Sequence, residues 1–335
     1  MKKIQHKSRP RIHVFAYGGT IASHAIENSG EFYSNPTVGI DEILSQIKSI
    51  EKIANVTFEQ VCQVISHEMT ISDLYNLAKK IESIVNDPDV DGIVITQGTD
   101  TIEETSYFVS LVINTVKPVV FTGSMLPMNA LGYDGLRNLY NAILVASSMK
   151  ETNLGVMLCF GDVITSARDT TKLNPSAING LSISTDSILG YVQGGIVNIR
   201  KIPNYKHTHK SEFNINKIKS IPKVYIIYGH LGGDGAFVES AITNNATGII
   251  SVGMGRGYQS KETTKALIEA VNNGLIVVRC SRTGNGFVSR DIKLDDKHEF
   301  IAGGSLSPPK ARILLAIALC GTSDKRKIQQ YFYEY

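Results

Sequence analysis

The chain has 335 residues, more than the usual single domain, and 42% of them are apolar, enough for a substantial core, so two domains are expected. Lys and Arg number 34 against 31 Asp and Glu, a net charge of +3 without a concentrated basic run, which argues against a nucleic-acid partner. No apolar run approaches the roughly 20 residues that span a bilayer, and Cys62, Cys159, Cys280 and Cys320 are widely spaced without a Cys-x-x-Cys pair, so neither a membrane segment, a zinc site nor a disulfide scaffold is expected.

Taken in order, residues 1–10 read as a solvated basic arm. The apolar stretch behind them is short and runs straight into Gly18-Gly19, unlike a secretory signal. The expected compartment is the cytoplasm, or the periplasm for a chain that has lost its signal. Apolar runs at 12–16, 92–96, 119–122 and 156–160 alternate with helical patterns such as 71–85 and 136–147. Continuously apolar strands, each followed by a helix, predict a doubly wound, parallel-type α/β domain over residues 1–200. Residues 201–222, with Pro203, His207, His209, several lysines and Pro222, read as a linker. The rhythm then restarts over 223–335 as a smaller α/β domain, with strands at 224–228, 248–252 and 275–279 and helices at 236–243, 261–272 and 308–319.

In open parallel sheets the reactive groups lie beyond the carboxyl ends of the strands, and three such segments stand out. Tyr17-Gly18-Gly19-Thr20-Ile21-Ala22 follows the first strand; its glycines allow a sharp turn that presents Thr20, although a simple glycine turn capped by a threonine accounts for the same residues. It matches neither phosphate-loop pattern. Thr96 to Thr105 follows the strand at 92–96. Thr101 and Glu104 fit a capping box that would start a helix, which leaves Thr99 and Asp100 on the turn, free to face a cleft. Ser166 to Lys172 follows the strand at 156–160. Lys172 alone reads as a solvated surface charge, but beside Thr99 and Asp100 an unprotonated lysine amine can accept a hydroxyl proton while the carboxylate orients it. That is a hydroxyl, base and orienter without a histidine.

Gly18-Gly19-Thr20-Ile21-Ala22 together with Gly98-Thr99-Asp100-Thr101-Ile102-Glu103-Glu104-Thr105 resembles the two signature motifs of the bacterial L-asparaginases and glutaminase-asparaginases. The likeness continues through Lys117, Asn138 to Ala142, Arg168-Asp169 with Thr171-Lys172, Lys310 with Arg312, and Ile328 to Gln330. The resemblance implies a larger N-terminal and a smaller C-terminal α/β domain, assembled as a homotetramer of intimate dimers and acting on a small-molecule amide. No metal or organic cofactor is expected. It implies Thr20 as nucleophile, with Thr99, Asp100 and Lys172 as its catalytic partners, and Ser66 with its neighbour at the substrate α-carboxylate.

Four positions depart from the family pattern. His67 stands where a glutamine follows the serine, and Pro36 where a mobile-loop tyrosine assists the nucleophile; Tyr33 is the nearest candidate to replace that phenol. In the second domain, Tyr258 takes the place of an amide or hydroxyl residue and Lys293 that of a glutamate, the two groups that bind the α-ammonium. Lysine repels an ammonium, so the expected substrate is an asparagine derivative whose α-amino group is substituted or absent. The alternatives are an ordinary L-asparaginase or glutaminase on free amino acids, and a non-catalytic binding descendant, against which the presence of Thr20, Thr99, Asp100 and Lys172 together argues. An amidotransferase subunit would carry a further N-terminal domain, and the first motif begins too early for one.

Overall fold

In the computed structural model, residues 9–26, 32–149, 151–181 and 187–335 are described, and the chain divides into two compact units, 1–211 and 212–335. The first begins with β1 (Arg11–Gly18), which is buried from Val14 onward, as its unbroken apolar sequence requires. After the short helices α1 (Ile40–Ser45) and α2 (Ile50–Ile53) come β2 (Asn55–Val64), α3 (Ile71–Val85), β3 (Gly92–Thr96), α4 (Ile102–Val112), β4 (Val119–Thr122), α5 (Gly135–Ser148) and β5 (Val156–Phe160). β6 (Val163–Ser166), β7 (Ile188–Gln193) and β8 (Ile196–Ile199) complete the described sheet.

The order is β2-β1-β3-β4-β5-β6-β7-β8. Strands β2 through β5 pair in parallel, as the strand-then-helix rhythm predicts, whereas β5 to β8 pair antiparallel, so the sheet is mixed. The sequence pattern does not single out β2, β6, β7 or β8. β2 alternates Val, Phe, Val and Cys with polar residues and lies at one edge, and β8 lies at the other with Ile196 exposed. Edge strands bury one face at most and lack the continuous apolar run that marks β1, β3, β4 and β5.

Two helices show how local chemistry fixes the loops. α3 opens on a reciprocal capping box between Thr70 and Asp73, worth about 1 kcal/mol, and buries Leu74, Leu77, Ala78, Ile81 and Val85, a helical stripe against the sheet. α4 corrects the sequence expectation. Thr101 is its N-cap residue but makes no side-chain capping bond; its hydroxyl donates instead to the carbonyl of Ser66 at 2.9 Å. The hydroxyl ties two loops together rather than starting a helix.

The second unit carries β9 (Val224–Tyr228), α6 (Ala236–Thr243), β10 (Gly248–Gly253), α7 (Lys261–Asn272), β11 (Ile276–Ser281), β12 (Ile301–Ala302), α8 (Pro308–Ala318) and α9 (Lys325–Glu334). Its described strands form an all-parallel sheet in the order β12-β11-β10-β9. Ser260 caps α7 by accepting from the Thr263 N–H, and Pro308 sits at the start of α8, where a missing N–H is harmless. Between the sheets, residues 201–222 contain two short 3-10 turns, Thr208–Lys210 and Ile215–Lys217. His207 and Thr208 are buried, and Tyr205 lies under the Arg168 guanidinium at 3.7 Å. No helix among the described residues is long and apolar enough to cross a membrane.

Candidate active site

The site grows from three loops at the carboxyl ends of β1, β2 and β3, and glycine is what lets them meet. Gly18 and Gly19 both have positive φ, 75° and 80°, and a Cβ on Gly19 would stand 2.2 Å from the Gly98 nitrogen. A Cβ on Gly98 would stand 2.6 Å from Ser66 Oγ. Backbone therefore lies on backbone between Gly19 and Gly98, and the Ser66 side chain lies on Gly98, at separations that no Cβ permits. The segments carrying Thr20, Thr99 and Ser66 are fixed against one another. All three residues are nearly enclosed, at 9%, 4% and 2% relative exposure, so the threonines are not on open turns as their sequence context suggests.

Thr20 begins a single 3-10 turn, Thr20–Ala22. Tyr133, which the sequence reading does not consider, donates from its hydroxyl to the Ile21 carbonyl at 2.9 Å, and burial raises the pKa of that phenol. Thr37 and Val38 both donate their N–H groups to the Ala22 carbonyl, which brings the following loop alongside this turn. Pro36 is buried in that loop, and Tyr33, 38% exposed, pairs through its backbone with Ala25. Residues 27–31 of the same loop lie outside the described residues.

Lys172 reaches the site from the turn after β6. Ser166 and Arg168 both bond Asp169, Thr170 donates to the Ser166 carbonyl, and Lys172 bridges to Leu181, so the turn is tightly fixed. From there Lys172 Nζ lies 2.9 Å from Thr99 Oγ1 and 2.6 Å from Asp100 Oδ1. The lysine side chain is only 15% exposed and Asp100 44%, so the pair lies at the wall of an accessible space. The other Asp100 oxygen faces His67, with Nδ1 to Oδ2 at 3.7 Å. The Asp100 backbone N–H donates to Ser66 Oγ at 3.2 Å. Five of the sequence-predicted residues, Ser66, His67, Thr99, Asp100 and Lys172, thus form one connected group, joined to the Thr20 segment through Gly19 and Gly98.

Tyr258 and Lys293 form a separate cluster in the second unit. The Tyr258 hydroxyl donates to Asp291 Oδ2 at 2.7 Å, while the Lys293 and Leu294 N–H groups donate to Asp291 Oδ1. These donors, the tyrosine first, lower the Asp291 pKa, and the carboxylate in turn raises that of Tyr258. The turn is anchored by a buried ion pair, Arg279 Nη2 to Asp295 Oδ2 at 2.6 Å, with the Asp291 N–H also donating to Asp295. The Lys293 side chain is exposed. Asp291 is the member that sequence reasoning passes over; its Asp-x-x-Leu context signals only a helix cap. Among the described residues no group of three or more His, Cys, Asp or Glu is placed to hold a metal ion.

The family description "Asparaginase, N-terminal" matches residues 11–205, and "Glutaminase/Asparaginase C-terminal domain" matches residues 223–332. The chain is 36% identical to L-asparaginase 2 of Escherichia coli, over 97% of this chain and 93% of that protein. It is 37% identical to the glutaminase-asparaginase of Pseudomonas fluorescens, over 100% and 93%. The crystal structure of the probable cytoplasmic L-asparaginase from Campylobacter jejuni superposes with a TM-score of 0.93 at 36% identity, covering 98% of this chain and all of that one.

Proposed function

The chain belongs to the asparaginase family and is an amidohydrolase, and from that premise we propose that it releases ammonia from the side-chain carboxamide of asparagine or an asparagine derivative, with Thr20 as nucleophile. The observation that carries this reading is Lys172 bonded at once to Thr99 Oγ1 and Asp100 Oδ1. A binding module has no need of a hydroxyl held on an amine that is itself held by a carboxylate. In the proposed reaction the Thr20 hydroxyl passes its proton to the Thr99–Lys172 pair as its oxygen bonds to the amide carbon, and nearby donors stabilise the tetrahedral oxyanion. The C–N bond breaks as the departing nitrogen takes a proton delivered through Thr99 and Lys172, and ammonia leaves. Water, deprotonated by the same pair, opens the Thr20 ester and restores the hydroxyl. Asp100 keeps the amine aimed throughout.

Ser66 and His67 are the proposed contacts for a substrate carboxylate, and Tyr258 and Lys293 those that discriminate at the α-position. Tyr33 remains the candidate phenol beside Thr20. The favoured substrate has a substituted or missing α-amino group, because the resemblance aligns Lys293 with the glutamate that receives the α-ammonium, and a lysine there would repel it. A second reading, turnover of free asparagine or glutamine, is supported by Asp291, whose negative charge lies two residues from Lys293 and against Tyr258. Assembly as a homotetramer of intimate dimers, in the cytoplasm, belongs to the same proposal. Ammonia release across free, N-substituted and α-deaminated amides separates the readings: a free amino acid turned over at least as efficiently as every substituted or deaminated amide excludes the altered-specificity form.

A further inference from the structure

His67 lines the site among charged groups. Asp100 faces its ring from the turn between β3 and α4, and Lys172 holds the far oxygen of that carboxylate from the turn after β6. Glu68 is exposed beside it on the same turn, and the ring itself is 62% exposed, open to a ligand. A proton on the imidazole adds one positive charge to a wall that already carries Asp100, Lys172 and Glu68. We infer that His67 makes carboxylate recognition by this site proton-dependent, so that anionic amides are taken more tightly as pH falls while neutral amides are not. The inference rests on the proposed assignment of Ser66 and His67 to the substrate carboxylate.

The geometry favours a charge effect over a structural one. At 3.7 Å the ring makes no hydrogen bond to Asp100 that would be lost or gained with the proton, and Asp100 stays aimed by Lys172 and by its own N–H to Ser66. An imidazolium within about 4 Å of a ligand carboxylate in this half-solvated setting is worth about a five- to tenfold gain in affinity. Histidine is the one side chain that ordinarily changes charge across this interval of pH. A glutamine, the family's residue here, has no proton to gain.

Two measurements test this. In the first, kcat and KM are determined for the anionic monoamide succinamate and the neutral diamide succinamide from about pH 8 to about pH 6. The expected result is a fall of about five- to tenfold in KM for succinamate relative to succinamide in the unsubstituted enzyme, with kcat ratios little changed, and a flat KM ratio in His67→Gln. In the second, calorimetry follows succinamate binding to Thr20→Ala with and without His67→Gln over the same range. That arm reads out whether or not any amide is turned over, so failure of the proposed reaction is distinguishable from failure of this inference. Equal pH dependence with histidine and glutamine, no pH dependence with histidine, or no succinamate binding at all would each overturn it.

Discussion

Breaking the Asp100–Lys172 pair tests whether the site works as a unit. Asp100→Asn keeps the shape and removes one charge. At an effective dielectric near 20, unit charges about 4 Å apart interact by about 4 kcal/mol; because Asp100 is nearly half exposed, screening reduces this to roughly 2 kcal/mol. If the pair serves the transition state, kcat falls about 30-fold at roughly 1.4 kcal/mol per decade. Lys172→Met removes the base itself and also deprives Thr99 of its partner at 2.9 Å, for an expected loss of about a thousandfold. The double variant should lose little more than Lys172→Met alone, since Asp100 has nothing left to orient. The assay is ammonia release under saturating substrate, with thermal unfolding alongside to confirm that each variant folds. Losses that multiply across the double variant would refute the reasoning, because they would mean that the two residues act through different groups.

Thr20→Ala should lower turnover by at least about a thousandfold while leaving the unfolding temperature close to that of the unsubstituted chain; near-normal turnover removes Thr20 as nucleophile. Lys293→Glu should raise kcat/KM for free L-asparagine relative to an N-substituted asparagine by about tenfold, read as a ratio on one protein so that any loss of stability cancels; an unchanged ratio sinks the role given to Lys293. His207 provides a pH prediction. Burial, reinforced by Lys210 and His209, lowers its pKa from 6.5 to about 4, so folding prefers the neutral ring. Above pH 6.5 the group contributes no penalty; as pH falls from there towards 4 the unfolded chain gains a proton that the folded one refuses, and about 3 kcal/mol of stability is lost. Denaturant midpoints near neutrality and near pH 4.5 should show a smaller acid loss for His207→Gln, and an equal loss in both proteins would assign the effect elsewhere.

Where burial dictates the sequence, the sequence is legible. β4, β5, α3, α6 and α7 appear at their observed bounds, because each is either apolar throughout or apolar at helical spacing. β2 and β8 do not, since half-exposed edge strands carry no such run; β6 and β7 lie inside the sheet, but as short antiparallel strands with no helix between them they lack the strand-then-helix rhythm. The link between Lys172 and Thr99, 73 residues apart, is legible only as chemistry: a hydroxyl, an amine and a carboxylate at strand ends, supported by the two motifs. Thr101 shows the limit of that approach. Its T-x-x-E spacing fits a cap, but the close approach of the β2 loop offers the hydroxyl the Ser66 carbonyl instead, a tertiary partner that no local pattern encodes.

The two clusters differ in what holds their carboxylates. Asp100 is bonded by Lys172 at 2.6 Å, with the His67 ring further off at 3.7 Å, whereas Asp291 is held by Tyr258 and by two backbone N–H groups. Neutral donors stabilise the Asp291 carboxylate without cancelling its charge, so it can still attract a substrate ammonium. His67 and Lys293 are exposed, as is Glu68 beside the first of them. Free asparagine presents an ammonium beside its carboxylate, whereas a derivative with that amine acylated or absent presents the carboxylate alone. The proposed preference for the second kind of molecule therefore requires Lys293 to outweigh Asp291, and the specificity ratio of Lys293→Glu decides between them.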